Sequence, residues 1–218
     1  MIRAAIVGAT GYTGAELVRL LSLHPEAELT LAMGRSRAGE PIDAVLPSLT
    51  GLRSDVVEAF DADRVCEAAD VAFCGLPHGT SAPIVAALRK RGLRVFDLSA
   101  DFRLNDLETY TAWYGDHGAK ALFGSAVYGL PELYREALRT ADLVAVPGCY
   151  PTASLLAVSP AVAEGLVDTS GPLVIDAKSG VSGAGRSAKP RTHFSETSEA
   201  FRAYAVGGQH RHTPEIEQ

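Results

Sequence analysis

Residues 2–7 read as an apolar strand, a glycine turn follows, and residues 15–23 carry the three-to-four-residue apolar spacing of a helix. Residues 28–33 predict a second strand and 34–40 a polar, basic loop. Strand-like stretches recur at 56–60, 71–74 and 94–98, with helical patterns over 63–69 and 81–91. Strands that are apolar on both faces and alternate with helices predict a parallel sheet covered on both sides. Residues 101–128 break this rhythm: they are polar, rich in aromatics and punctuated by glycine, and so long an excursion is more often functional than idle. A helix over 132–141 and a buried strand over 143–146 then lead into Cys149. Pro151-Thr152 opens a helical pattern over 153–164. Beyond it come one clear strand at 173–177, a glycine- and serine-rich loop at 178–189 and a further strand candidate at 201–206.

The 218-residue chain has room for one large domain, or for one domain and part of another. Thr213-Pro214-Glu215 has the N-cap residue, the first-position proline and the acid of a helix start, yet the sequence stops at Gln218. The roughly 70 residues after Cys149 offer too few elements to bury a core alone. The expected division is therefore residues 1–148, followed by residues 149–218 as the first part of a truncated second domain. A net charge of −6 speaks against nucleic acid or an anionic membrane as partner, so any anion site must be local. No apolar run approaches the roughly 18 residues of a membrane helix, and Met1-Ile2-Arg3 leaves no room for a signal peptide. Cys66, Cys74 and Cys149 form neither a CxxC pair nor an even set, which predicts reduced thiols in a cytosolic protein.

Gly8, Gly11 and Gly14 end the first strand and open the first helix, where backbone amides can approach a pyrophosphate. The GxxGxxG spacing departs from the usual GxGxxG, and Thr10, Tyr12 and Thr13 complete the turn. Nucleotide sites for NAD place an acid on the ribose roughly 20 residues later. Here stand Arg35, Ser36 and Arg37, a set suited to a 2′-phosphate, so NADP is the expected cofactor rather than NAD. Gly75-Leu76-Pro77-His78-Gly79-Thr80 follows the 71–74 strand and is expected near the far end of the cofactor, with Leu76 and Pro77 against it and His78 structural or lining.

Cys66 and Cys74, in a helix and a strand, read as small buried hydrophobes. Cys149 differs: at a strand-to-helix turn it faces the positive end of the helix dipole, which favours a thiolate. A dinucleotide fold with such a cysteine points to hydride transfer through a thioester. A proton shuttle is then required, and His210 or His212 supplies it, only one of the two facing the thiol. A metal site is the rival reading of these histidines, but no cysteine or acid accompanies them, and no metal is expected. The loop 178–186 lacks P-loop spacing and reads as a backbone-rich anion cradle. Within it Ser179 and Gly180 are expected at the cofactor and Ser182 at the substrate. Asp97-Leu98-Ser99-Ala100-Asp101-Phe102-Arg103 lies at a strand's C-terminal end, where ligands bind in such sheets. A short-chain dehydrogenase would need tyrosine four residues before lysine, and no tyrosine here has one.

Taken in order, Val7–Gly14, Gly75–Gly79, Asp97–Arg103, Tyr128-Gly-Leu-Pro-Glu132, Pro147-Gly-Cys-Tyr-Pro-Thr152, Lys178–Gly183 and His210-Arg-His-Thr-Pro-Glu-Ile-Glu-Gln218 resemble the segments of N-acetyl-γ-glutamyl-phosphate reductases of arginine biosynthesis. The resemblance implies an α/β, Rossmann-type doubly wound parallel sheet followed by the start of an α+β substrate and dimerisation domain. It implies NADPH-dependent reduction of an acyl phosphate to its semialdehyde in the cytoplasm. Cys149 matches the family nucleophile, and the acid–base histidine falls at His210 in preference to His212. Substrate contacts are expected from Ser99, Arg103, Tyr150, Ser182 and His212. A homo-oligomer is expected of the full-length protein. Reductases of aspartyl or aminoadipyl phosphate, or a non-catalytic NADP-binding module, remain the alternatives.

Overall fold

A computed structural model describes residues 1–218. Their packing resolves into two compact units, Met1–Val146 and Pro147–Gln218.

The first unit is built on six strands: β1 (Ile2–Val7), β2 (Ala27–Met33), β3 (Val71–Cys74), β4 (Arg94–Asp97), β5 (Val127–Tyr128) and β6 (Leu143–Ala145). They form one sheet in the order β2-β1-β3-β4-β6-β5, every neighbouring pair parallel. Parallel neighbours need crossovers. Among the helices between strands are α1 (Tyr12–Ser22), α2 (Ile42–Val45), α3 (Ala62–Ala68), α4 (Ser81–Lys90), α5 (Leu107–Tyr114) and α6 (Pro131–Thr140). The period-two alternation of β1 shows how both faces are covered. Ala4 and Ile6 pack with Val18 and Leu21 of α1 and with Ile42 and Val45 of α2. Ala5 and Val7 pack on the other side with Val65 of α3 and with Val85 and Leu88 of α4. Strand order reverses between β1 and β3, which makes the C-terminal ends of these two strands the switch point of a doubly wound sheet.

Three expectations need correction. Residues 56–60 form no strand of the sheet; they make only isolated bridges, Met33 to Glu58 and Pro41 to Val56. Residues 101–128, the stretch that breaks the rhythm, contain α5, which Asp106 caps by accepting the Thr109 N–H at 2.7 Å, and β5, which adds a sheet edge. In the second unit neither 173–177 nor 201–206 is a strand. A strand needs a neighbour to take its backbone N–H and C=O groups, and the second unit contains no strand to serve as one.

That second unit consists of α7 (Cys149–Ala163), the short α8 (Phe194–Thr197), α9 (Thr213–Glu217) and long connecting loops. Residues 165–209 are exposed almost throughout. No helix of either unit is long and apolar enough to cross a membrane.

Candidate active site

The glycine turn sits at the switch point. Gly8 and Ala9 both donate their N–H groups to the Met33 carbonyl, at 2.9 and 2.8 Å, which ties the turn to the end of β2. Gly8 has φ +98°, and a Cβ there would lie 2.3 Å from the Gly75 carbonyl oxygen. A Cβ on Gly14 would lie 2.4 Å from the Gly8 oxygen, so α1 packs directly on the turn. Gly11 is the N-cap of α1; no side chain caps this helix and no acid stands in its first turn. An uncapped, uncrowded helix N-terminus beside a glycine turn fits the pyrophosphate of a dinucleotide. Arg35, Ser36 and Arg37 lie exposed on the loop after β2, and Arg37 pairs with Glu40 at 2.8 Å.

Loop 75–80 begins against Gly8 and forms the β3 side of the switch point. Gly75 donates to the Val7 carbonyl at 2.8 Å, and His78 Nδ1 accepts the Ala100 N–H at 2.9 Å. Beneath the loop lies a polar network that sequence reasoning did not assemble. Asp97, fully buried, accepts the Ser81 hydroxyl at 2.5 Å and the Ser99 hydroxyl at 2.6 Å. Burial pushes the Asp97 carboxyl above the usual carboxylate range, the two serine hydroxyls oppose the rise, and the nearby Asp101 charge adds to it. Ser99 is itself fully buried, and its oxygen also accepts the Asp101 N–H at 3.0 Å. Arg103, 6% exposed, donates to the carbonyls of Leu98 and Val146 at 2.7 and 2.8 Å, joining the ends of β4 and β6.

The second unit carries the cysteine. Cys149 is exposed and is the first residue of the 15-residue α7, with Gly148 as its N-cap. The turn is fastened by Glu215 of α9, which is 2% exposed and accepts the Gly148 N–H at 2.8 Å. Around Tyr150 gather His210 (ring centroids 4.8 Å), His212 (6.0 Å) and Tyr204 (6.4 Å). His210 Nδ1 accepts the His212 N–H at 3.1 Å, which leaves Nε2 to hold the proton of the neutral ring. That Nε2 lies 3.4 Å from the Tyr204 hydroxyl, which donates to the Tyr150 hydroxyl at 2.6 Å. Burial, the bond to Tyr150 and the neighbouring Tyr150 and Cys149 push the Tyr204 hydroxyl up to about 12. Burial, with the Arg211 charge behind it, holds His210 below its ordinary value.

The structure thus gathers Tyr150, His210 and His212 of the expected set. Ser179, Gly180 and Ser182 stand on an exposed loop that turns on itself, Gly183 donating to the Gly180 carbonyl at 3.0 Å. Tyr204 and Glu215 were missed as site residues. Nothing in the spacing links a tyrosine to a histidine six residues on, and Glu215 read only as a first-turn acid. No three His, Cys, Asp or Glu side chains converge as a metal site.

Residues 3–141 match the semialdehyde dehydrogenase NAD binding domain, and residues 149–218 match the semialdehyde dehydrogenase dimerisation domain. The chain is 51% identical to an N-acetyl-gamma-glutamyl-phosphate reductase of Desulforamulus reducens, the match covering 100% of this chain and 63% of that protein. It is 54% identical to the reductase of the same name from Desulforudis audaxviator, with the same coverages. Among solved structures, aspartate semialdehyde dehydrogenase II from Vibrio cholerae is similar in fold, with a TM-score of 0.54 and 20% identity over 75% of this chain and 43% of that one. The chain therefore spans less than two thirds of the length of the curated relatives it matches. Since the matched stretches take in both the switch-point turn and the exposed cysteine, the chain belongs to the semialdehyde dehydrogenase family.

Proposed function

We propose that the whole protein reduces N-acetyl-γ-glutamyl phosphate to N-acetylglutamate semialdehyde, releasing phosphate, in arginine biosynthesis. The observation that carries this reading is the exposed Cys149 at the head of α7, grouped with Tyr150, Tyr204 and the two histidines. The relatives' names supply the substrate. The Cys149 sulfur attacks the acyl carbon, the carbon–oxygen bond to phosphate breaks, and a thioester remains on the chain. A nicotinamide dinucleotide held at the turn of Gly8, Gly11 and Gly14 would supply the hydride to reduce this thioester. The carbon–sulfur bond then breaks, returning the thiolate and releasing the aldehyde. The amides at the start of α7 stabilise negative charge on sulfur, because they are the positive end of the helix dipole. His210, with its proton on Nε2, is a hydrogen-bond donor and acid toward the developing oxyanion. Neutral His210 in this tautomer has no vacant ring nitrogen with which to take the thiol proton.

NADP is favoured over NAD because Arg35 and Ser36 are exposed after β2 and Arg37 is held beside them. The matched stretches, 3–141 and 149–218, support a division near Cys149 into a cofactor domain before it and a catalytic and dimerisation domain after it, and the latter favours a homo-oligomer. The three unpaired cysteines favour a reducing compartment such as the cytoplasm.

The reverse reaction tests this reading on the full-length protein. NADP, phosphate and N-acetylglutamate semialdehyde should yield NADPH only when phosphate is present. Cys149→Ser should abolish that signal while NADP binding persists. A variant rate near that of the wild type would exclude the covalent route. A folded, NADP-binding protein that gives no signal would shift the substrate to a longer or shorter acyl phosphate.

A further inference from the structure

Segment 101–128 plays no part in the chemistry above, yet its most buried residues reach the wall of the cofactor crevice. Asp101 is fully buried. One of its carboxylate oxygens accepts the Gly79 N–H at 2.7 Å and the Tyr110 hydroxyl at 3.0 Å; the other accepts the Ala82 N–H at 2.9 Å. Gly79 belongs to loop 75–80 and Ala82 to the first turn of α4, so a single carboxylate holds the loop, the helix after it and α5. The Asp101 carbonyl faces His117 Nε2 at 2.7 Å, while His117 Nδ1 accepts the Ala119 N–H at 3.1 Å. That second bond leaves the imidazole proton on Nε2, directed at Asp101. His117 is 2% exposed and stacks edge-on with Tyr110, Phe102 and Phe123. The excursion is thus an aromatic block set behind Asp101.

Loop 75–80 is otherwise tied down at Gly75, through Val7, and at His78, through Ala100, the neighbour of Asp101. Leu76 and Pro77, the residues expected against the cofactor, lie between these ties. We infer that Asp101, backed by Tyr110 and His117, is a positioning residue for the nicotinamide dinucleotide, setting the loop that walls the crevice at the β1–β3 switch. The inference rests on the reading of that crevice as the cofactor site.

The test is the dissociation constant for NADPH, measured calorimetrically on the full chain beside the melting temperature. Asp101→Asn keeps the shape but puts an amide N–H against donors, so at least one of them loses its acceptor, and the constant should rise roughly tenfold. Tyr110→Phe removes one donor and should raise it roughly threefold. Val85→Ala, fully buried in the same helix, should lower the melting temperature through a cavity and leave the constant unchanged. A constant unchanged in Asp101→Asn, or weakened in all three variants in proportion to their melting temperatures, overturns the positioning role. If Asp101→Asn does not fold, an unchanged constant in Tyr110→Phe overturns it equally. A wild-type chain that binds neither NADPH nor NADH overturns the reading of the crevice, and the inference with it.

Discussion

Neutral His210 holds its proton on Nε2 because a backbone N–H two residues on occupies Nδ1. Its partial burial, and then the charge of Arg211, make protonation of the folded state harder than protonation of the unfolded chain. A lowered folded value contributes stability that is present above the unfolded value of about 6.5 and is lost as pH falls from there through the folded value. The wild type should therefore lose melting temperature as pH falls below about 6.5, and His210→Gln should flatten that slope. Equal slopes in the two proteins would show that His210 titrates as it does in the unfolded chain. The sequence singled out both histidines, but only the fold brought Tyr204 to them and set the tautomer. Cys149 was legible for a different reason: the dipole argument needs only a strand on one side of it and a helix on the other.

Among the elements, the β1–α1 connection has the least slack. Gly8 combines a left-handed backbone with contact against Gly75, so an added Cβ meets both strain and a carbonyl oxygen. Gly8→Ala should cost about 2–5 kcal/mol, the sum of the conformational and overpacking terms, as measured by urea unfolding. Loss of dinucleotide binding should accompany it. A cost below about 1 kcal/mol would mean that loop 75–80 gives way. The glycine turn and strands β1 to β4 were legible because apolar runs and glycine punctuation are local signals. Residues 56–60 have the composition of a strand and bridge only at single residues. Their pattern marked burial, as at Val57, and burial alone does not supply a ladder.

Across the molecule the two units differ in how they are held. The first has apolar clusters on both faces of its sheet, whereas beyond Val146 only Gly148, Pro151, Ser154 and Glu215 are buried. In the 218-residue chain hydrogen exchange should follow this division: amides of β1, β3 and β4 should be the slowest, and those of 166–209 should exchange within the shortest times sampled. Protection over 173–177 matching that of β3 in that chain would contradict the absence of a strand there. By itself the sequence determined the alternation of strands and helices, the glycine turn and the place of Cys149 between a strand and a helix, because each depends on residues adjacent along the chain. The tertiary structure decided which apolar stretches became strands, how Asp101 joins loop, helix and excursion, and which side chains meet Tyr150. Those outcomes depend on hydrogen-bond partners distant in sequence, such as Gly148 with Glu215, and no local pattern encodes the partner.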